Sequence, residues 1–348
     1  MGVERNNPTI RAIGTATPQS RFTQEEAFQL SGYTDDRVRG IFLNSGIDHR
    51  HFYIKGDPNR FEDSDQLNDR FLKGAMNTGC RAIRDCMEKA GMSVQDIDLL
   101  VVCTSTGYVC PDIGTRLIGH MGFRRDVQRA SIVGLGCAGA IPSLQRACDF
   151  VRARPGSVAL TLTVEICSAC YYVDNTVETI VGNAICADGA AAVLLTTDDS
   201  PKYPYPAIVD FQSFLDPAQL DQVGFDRRQG KLRIVLSNEV RNLAAPLLQN
   251  AIEAMLPRHS LTAADIRFWV AHPGGRKVLD NVQKHLKLTD GQTQFSRHVL
   301  RNYGNMSSPT VVFVLDDVAG RGNPQPGDWG IMSALGPGMA AEVCLLKW

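Results

Sequence analysis

The chain is predicted to be an α/β protein of two like halves with mainly parallel central sheets covered by helices, and three observations carry the prediction. Apolar runs of strand length alternate with segments whose apolar residues recur every three or four positions, the pattern of strands and amphipathic helices laid in turn. Two distant segments open alike: Gln95-Asp-Ile-Asp-Leu-Leu-Val-Val-Cys103 and Ala264-Asp-Ile-Arg-Phe-Trp-Val-Ala-His272. Asp96 and Asp265 are 169 residues apart and Cys137 and Asn305 are 168 apart, so the halves keep step as a duplicated unit does.

Both alike segments read as a polar lead-in to a buried strand. Ala130-Ser-Ile-Val-Gly-Leu135 reads as the next strand of the first half, and Ile141 to Val151 has helical spacing. Gly134 and Gly136 break the chain between them, which puts Cys137 at a strand-to-helix turn. In the second half Val278, Val282 and Leu286 mark one helix, and Pro309 to Asp317 continues past the Gly304 turn as another, despite its β-branched residues. The polar, proline-punctuated stretch Thr197 to Tyr205 is the expected seam, dividing a half at 1–200 from one at 201–348.

With 348 residues, 44% hydrophobic and 21% charged, the chain has apolar material for two fused cores, which excludes disorder. A net charge of −1 offers no basic field for a nucleic-acid backbone or an anionic membrane surface. Apolar stretches such as Val311 to Leu315 fall far short of the roughly 20 residues of a membrane span. The first residues lack the apolar core of a secretory signal, so a cytoplasmic protein is expected. Most of the ten cysteines sit in apolar segments, where reduced thiols are the ordinary reading.

A cysteine at a helix start has its thiolate favoured by unpaired N–H groups, and a nearby imidazolium adds to the effect. Cys137 has the first feature, with flanking glycines that let a carbonyl approach; taken alone it is as readily a small residue at a tight turn. His272 closes an apolar strand, where α/β sheets place reactive groups, although such a histidine is often structural. Asn305 holds in the second half the place of Cys137 in the first, so duplication brings both turns toward one pseudo-twofold axis. An Asn amide and an imidazole N–H together donate to a developing oxyanion or enolate, the polarity that acyl-transfer chemistry needs.

These residues stand in motifs that resemble the type III polyketide synthases of the chalcone and stilbene synthase superfamily: Gly134-Leu-Gly-Cys-Ala-Gly139, His272-Pro-Gly-Gly-Arg276, Tyr303-Gly-Asn-Met-Ser-Ser308 and Ala334-Leu-Gly-Pro-Gly338. Ile13-Gly-Thr-Ala-Thr-Pro18 and Asp188-Gly-Ala-Ala-Ala-Val193 extend the likeness through most of the chain, in order and in register. The resemblance implies a thiolase fold of duplicated αβαβα layers, a homodimer, and a Cys137, His272, Asn305 triad. It further implies an acyl-CoA starter loaded on Cys137 as a thiolate paired with His272, then extension by decarboxylative condensation with malonyl-CoA, with no metal and no redox cofactor.

Where plant members carry phenylalanines, this chain aligns Cys186, Ile234 and Leu335, which implies a wider apolar space and long or bulky starters giving alkylpyrones or alkylresorcinols. By the same alignment Ser105, Thr106, Cys167, Cys170, Ser307, Gly336 and Pro337 belong to the substrate cavity. Glu165-Ile-Cys-Ser-Ala-Cys170 resembles the bacterial members. Cys110 stands where many relatives insert a methionine into the partner's cavity, and Arg50 and Lys277 are the candidates for coenzyme A contacts. Two rival readings are a ketoacyl synthase III-like enzyme performing one condensation and a cysteine-rich metal or redox protein. A structural zinc site usually needs a second Cys pair or a His-x3-5-His, and neither spacing occurs.

Overall fold

A computed structural model describes residues 7–54, 62–197 and 204–348. The first half runs β1 (Thr9–Ala16), β2 (Arg21–Thr23), α1 (Gln24–Leu30), α2 (Asp36–Leu43), β3 (His49–His51), α3 (Ser64–Ala90), β4 (Leu99–Thr104), α4 (Ile113–Met121), β5 (Gln128–Val133), α5 (Ala140–Ala153), β6 (Ala159–Ile166), α6 (Val177–Ile185) and β7 (Asp188–Thr196). The second runs β8 (Ala207–Leu215), β9 (Val223–Arg228), β10 (Lys231–Leu236), α7 (Val240–Met255), β11 (Ile266–Ala271), α8 (Arg276–His285), α9 (Asp290–Tyr303), α10 (Ser308–Arg321), β12 (Trp329–Gly336) and β13 (Ala340–Lys347). Of the expected seam, residues 198–203 lie outside the described residues.

The duplication is visible in the strand order. One continuous nine-stranded sheet, β11-β12-β13-β8-β1-β7-β6-β4-β5, falls into a first sheet, β1-β7-β6-β4-β5, and a second, β8-β13-β12-β11, joined through β1 and β8. Strands β4 and β6 pair in parallel as β11 and β12 do, while β6 with β7 and β7 with β1 are antiparallel, as are β12 with β13 and β13 with β8. Parallel β5 adds an edge to the first sheet. The sheets are therefore mixed: antiparallel strands, such as the β12–β13 hairpin, are interleaved with the parallel ones that the helix alternation predicts. The two sheets meet where Thr9 pairs with Ala207.

Helix α5 packs on β4, β6 and β7 of its own sheet and on β12 and β13 of the other; α10 packs on β11 and β12 and also on β1, β6 and β7. These two helices thus lie between the sheets, whereas α3 covers the outer face of the first and α7 that of the second, giving five layers, α-β-α-β-α. Burial on all sides explains the sequence of α10. Ser308 through Leu315 are all buried, and a helix with no solvent face is apolar all round, so packing outweighs the weak helix preference of Val311, Val312 and Val314. Strands β6 and β7 are likewise buried at every position, and the small residues Gly189 to Ala192 of β7 suit a strand with helices on both faces. No helix among the described residues is long and apolar enough to cross a membrane.

Candidate active site

The two central helices begin at the two turns that the repeat singles out. Cys137 occupies a 3-10 turn, Gly136–Ala138, between β5 and α5, and is half-buried. Gly136 has φ +50°, and a Cβ there would lie 2.6 Å from the ring of Pro337, so only glycine fits both the backbone and the space. Gly336 abuts the backbone oxygen of Leu135 and the side chain of Ala138. Gly336 and Pro337, expected in the substrate cavity, thus press on the nucleophile's turn and hold it.

Asn305 lies between α9 and α10. Its N–H donates to Ile185 O at 2.9 Å and its carbonyl accepts from Ala187 N–H at 2.9 Å, a short parallel bridge between Cys186 and Asn305. Its side-chain Oδ1 accepts from Ser307 N–H at 2.8 Å and faces the Cys137 Sγ at 3.9 Å, while Nδ2 donates to Gly274 O at 3.2 Å. His272 follows β11, tied by its N–H to Ser333 O at 2.8 Å, and the Nε2 edge of its ring lies against Gly274. Gly274 therefore touches both the imidazole and the carboxamide. Both His272 ring nitrogens are buried without a hydrogen-bond partner; unpaired buried polar atoms cost free energy that a substrate's arrival relieves.

The electrostatics depart from the expected thiolate–imidazolium pair. Burial pushes the Cys137 thiol up to about 12, an effect that the neighbouring Ser307 and Asn305 side chains only moderate, and burial lowers His272 to about 4. Both groups are neutral at rest, because desolvation outweighs the favourable helix start, and α5 itself begins only at Ala140.

Behind the nucleophile stands a residue the sequence reading did not single out. Glu165 is fully buried at the end of β6: Oε2 accepts from Ser105 N–H (2.9 Å), Thr106 N–H (3.1 Å) and Thr106 Oγ1 (2.8 Å), and Oε1 from Ser308 Oγ (2.8 Å). Ser105 Oγ in turn accepts from Gly136 N–H at 2.8 Å, so this carboxyl anchors the loop that holds the cysteine turn. A lone carboxylate in the apolar run Leu160–Ile166 was the available signal. Burial raises its pKa from 4.5 to about 7. A carboxyl whose folded pKa is raised gives its full stabilisation below pH 4.5 and loses it as pH rises through about 7. Glu165→Gln, neutral at every pH, is expected to melt progressively higher than the native protein as pH rises from 5 to about 8, by roughly 3 kcal/mol at most; thermal melts across that range check it.

Other candidates fall variously. Ser105 and Thr106 are engaged by Glu165, and Thr106 Oγ1 also accepts from Ile166 N–H, so they serve the frame of the site. All ten cysteines are free thiols. Cys170 is buried and donates to Thr106 O; Cys167 is buried beside Cys186, and the thiols of Cys167 and Cys170 are pushed well up by burial and neighbouring groups. Cys186 is half-buried at the end of α6, on the bridge to Asn305. Ser307, at φ +60° before α10, lies beside Cys137, and its N–H donates to the Asn305 Oδ1 that faces the thiol. Ile234 packs on Gly182 of α6, and the half-buried Phe225 stands directly opposite it on β9. Leu335 packs on the cluster under α7, whereas its neighbour Ala334 faces the central helices, so Leu335 does not widen the space near Cys137.

Arg50 is a correction. It is 1% exposed, with Nε donating to Gln24 Oε1 and Nη1 to Asn183 O and Cys186 O, each at 2.7 Å, and it lies over the Phe52 ring. A guanidinium so enclosed supports the Cys186–Asn305 bridge from behind and has nothing to offer coenzyme A. Lys277, by contrast, lines the rim of an apolar cavity of about 420 Å³, with Arg37, Arg241 and Arg276. Its inner wall includes Ile185 and Gly274, the two residues whose carbonyls accept from Asn305. Cations at the rim suit phosphates, the apolar wall suits a pantetheine arm or acyl chain, and Asn305, which does not itself line the cavity, is bonded to two residues of that wall.

Such chemistry belongs to acyltransferases of the thiolase fold. A family model described as chalcone and stilbene synthases, C-terminal domain, matches residues 211–348, and one described as FAE1/Type III polyketide synthase-like protein matches residues 38–271. The chain is 32% identical to a 3,5-dihydroxyphenylacetyl-CoA synthase of Streptomyces toyocaensis, over 98% of this chain and 90% of that protein. It is also 32% identical to a 1,3,6,8-tetrahydroxynaphthalene synthase of Streptomyces peucetius subsp. caesius, over 98% and 93%. The solved structure of PKS-I from the brown alga Ectocarpus siliculosus superposes with a TM-score of 0.92 at 31% identity, covering both chains fully. The chain belongs to the type III polyketide synthases, enzymes that condense malonyl-CoA with acyl-CoA thioesters without a cofactor. That membership sets aside the metal or redox reading, and the described residues hold no cluster of three or more His, Cys, Asp or Glu able to bind a metal ion.

Proposed function

We propose that this synthase loads a long or bulky apolar acyl group from coenzyme A onto Cys137 and extends it with malonyl units to alkylpyrone or alkylresorcinol type products. The supporting observation is the apolar wall of the cavity, from Ile41, Val177, Val181 and Leu236 to Ile185, which carries no aromatic ring.

In the proposed cycle Cys137 Sγ attacks the starter's thioester carbonyl, its proton passes to His272, and coenzyme A leaves as its thiol. Malonyl-CoA then enters with its thioester oxygen toward His272 Nε2–H and the second Nδ2 hydrogen of Asn305, the first being held by Gly274. Loss of CO2 leaves an enolate that those donors stabilise and that attacks the Cys137 acyl carbonyl; the acyl C–Sγ bond breaks, the extended chain leaves as its coenzyme A thioester, and the Cys137 thiolate takes up a proton. Lys277, with Arg37, Arg241 and Arg276, would take the coenzyme A phosphates. A homodimer would cover the exposed edge strand β5, with Val133 55% exposed and Tyr108 of the adjoining loop 73% exposed.

The test is incubation with hexanoyl- to palmitoyl-CoA plus malonyl-CoA, with products read by mass spectrometry. Efficient use of the longer starters is expected. Acceptance of only short or aromatic starters overturns the reading, as does conversion of malonyl-CoA alone into a hydroxylated naphthalene or a dihydroxyphenylacetyl thioester, the products that the relatives' names describe.

A further inference from the structure

Strands β9 and β10 form a two-stranded sheet of their own, outside both main sheets. The hairpin lies on α6. Its Ile234 side chain occupies the space at Gly182, where a Cβ would come within 2.9 Å of it, and the end of β10 (Leu236) with Ser237 and Asn238 lines the cavity mouth. At the other end Leu232 lines a second cavity of about 300 Å³, with Thr106, Phe71 and Ala169. The hairpin therefore spans from the mouth toward the loop that anchors the nucleophile's turn, and α6 beneath it ends at Cys186, the residue bridged to Asn305.

One side chain ties this hairpin down. Arg233 is 7% exposed. Its Nε and Nη2 donate to the two oxygens of Asp226 on β9, at 2.9 and 2.8 Å, a bidentate pair within the hairpin. Its Nη1 donates to Asp174 Oδ2 at 3.1 Å and lies 3.5 Å from Thr176 Oγ1 and Thr179 Oγ1, all at the start of α6. Asp174 is itself fixed, its Oδ1 accepting from Thr176 N–H at 2.9 Å and from Thr176 Oγ1 at 2.7 Å. A buried guanidinium with five donors in a rigid fork fixes orientation in a way that apolar contact does not. Arg233 and Ile234 are adjacent, so the clamp sets how deeply Ile234 sits against α6.

We propose that Arg233 is a positioning residue for chain-length selection: by clamping β9–β10 to the start of α6 through Asp226 and Asp174, it sets the width of the cavity between Leu236 at the end of β10 and Val177, Val181 and Ile185 of α6. The inference rests on the proposed function, in which Cys137 takes the acyl group that this cavity admits. No reacting atom touches Arg233; it acts through Ile234.

The test uses the full chain and the variants Arg233→Lys, Arg233→Met and Asp226→Asn, the last keeping the protein folded if Arg233→Met does not. The first measurement needs no catalysis: the labelling rate of Cys137 by N-methylmaleimide and by long N-alkylmaleimides, read on the Cys137 peptide by mass spectrometry. Loosening the clamp is expected to raise the long-to-short rate ratio about tenfold in Arg233→Met, with Asp226→Asn between it and the native protein. Arg233→Lys, which keeps the charge but not the fork, should recover part of the native ratio. The second measurement is kcat and KM across the acyl-CoA series, where the preferred length should move in the same variants while kcat for the shortest starter holds. Unchanged length profiles in Arg233→Met and Asp226→Asn, with only thermal stability lowered, overturn the proposal. Failure of the native protein to acquire an acyl group on Cys137 would instead overturn the nucleophile assignment, and the labelling ratios still report the aperture.

Discussion

Cys137→Ala is expected to leave no acylated enzyme after incubation with any acyl-CoA and to lower polyketide formation by about 10⁴-fold or more, the usual consequence of deleting a covalent nucleophile. The effect follows from position. Cys137 lies on the turn that precedes the central helix α5, against the Asn305 carboxamide at 3.9 Å, and none of the other nine cysteines shares that turn. The same variant keeps His272 and Asn305, and it is expected still to release CO2 from malonyl-CoA, because decarboxylation needs only their donors. Asn305→Ala should lose both activities, since it removes the amide donor and also frees Gly274. Intact-protein mass spectrometry detects the acyl group, and trapping of labelled CO2 separates the two steps. An acyl adduct that persists in Cys137→Ala would move the nucleophile elsewhere.

His272→Gln is expected to slow iodoacetamide alkylation of Cys137 about 10²-fold at neutral pH and to move the inflection of that reaction upward. Burial, only moderated by hydrogen bonding, holds the thiol at about 12, so at pH 7 almost no thiolate exists unless a base takes the proton. His272 is unprotonated above about 4 and neither ring nitrogen has a hydrogen-bond partner, so a free imidazole, a weak base, is available to receive that proton at neutral pH. The same depression carries a stability cost with a definite sign. An imidazole whose folded pKa lies below its ordinary 6.5 binds its proton preferentially in the unfolded chain, so the native protein loses stability as pH falls from about 6.5 toward 4. His272→Gln should lack that loss. Equal alkylation rates in both proteins at pH 7 would remove His272 from the activation of Cys137.

Much of the site was legible in the sequence because it is written in short stretches. Glycines around Cys137 and before Asn305, a strand ending at His272, and two alike segments 169 residues apart each report local geometry, and the structure reproduces those turns, strands and helices. Less legible was the identity of each polar group's partner. Arg50, in a stretch that aligns with a ligand-binding family, donates to carbonyls 133 and 136 residues away and is enclosed. Glu165 looked like one charged residue in an otherwise uncharged strand and proved to anchor five groups. Leu335 aligned with a phenylalanine of the substrate cavity, yet the pleat turns it to the outer face of β12.

By itself the sequence determined the duplicated α/β plan, the turns that start the two central helices, and the family to which the chemistry belongs, because periodicity, turn residues and repeats act over a few neighbouring positions. Only the tertiary structure decided which charged groups face substrate and which are buried as frame, and where an isoleucine and a phenylalanine stand together on a separate hairpin. Burial and long-range hydrogen bonds set those roles. They arise between segments that no local pattern relates, and desolvation, the strongest influence on Cys137, His272 and Glu165, exists only once the layers have closed.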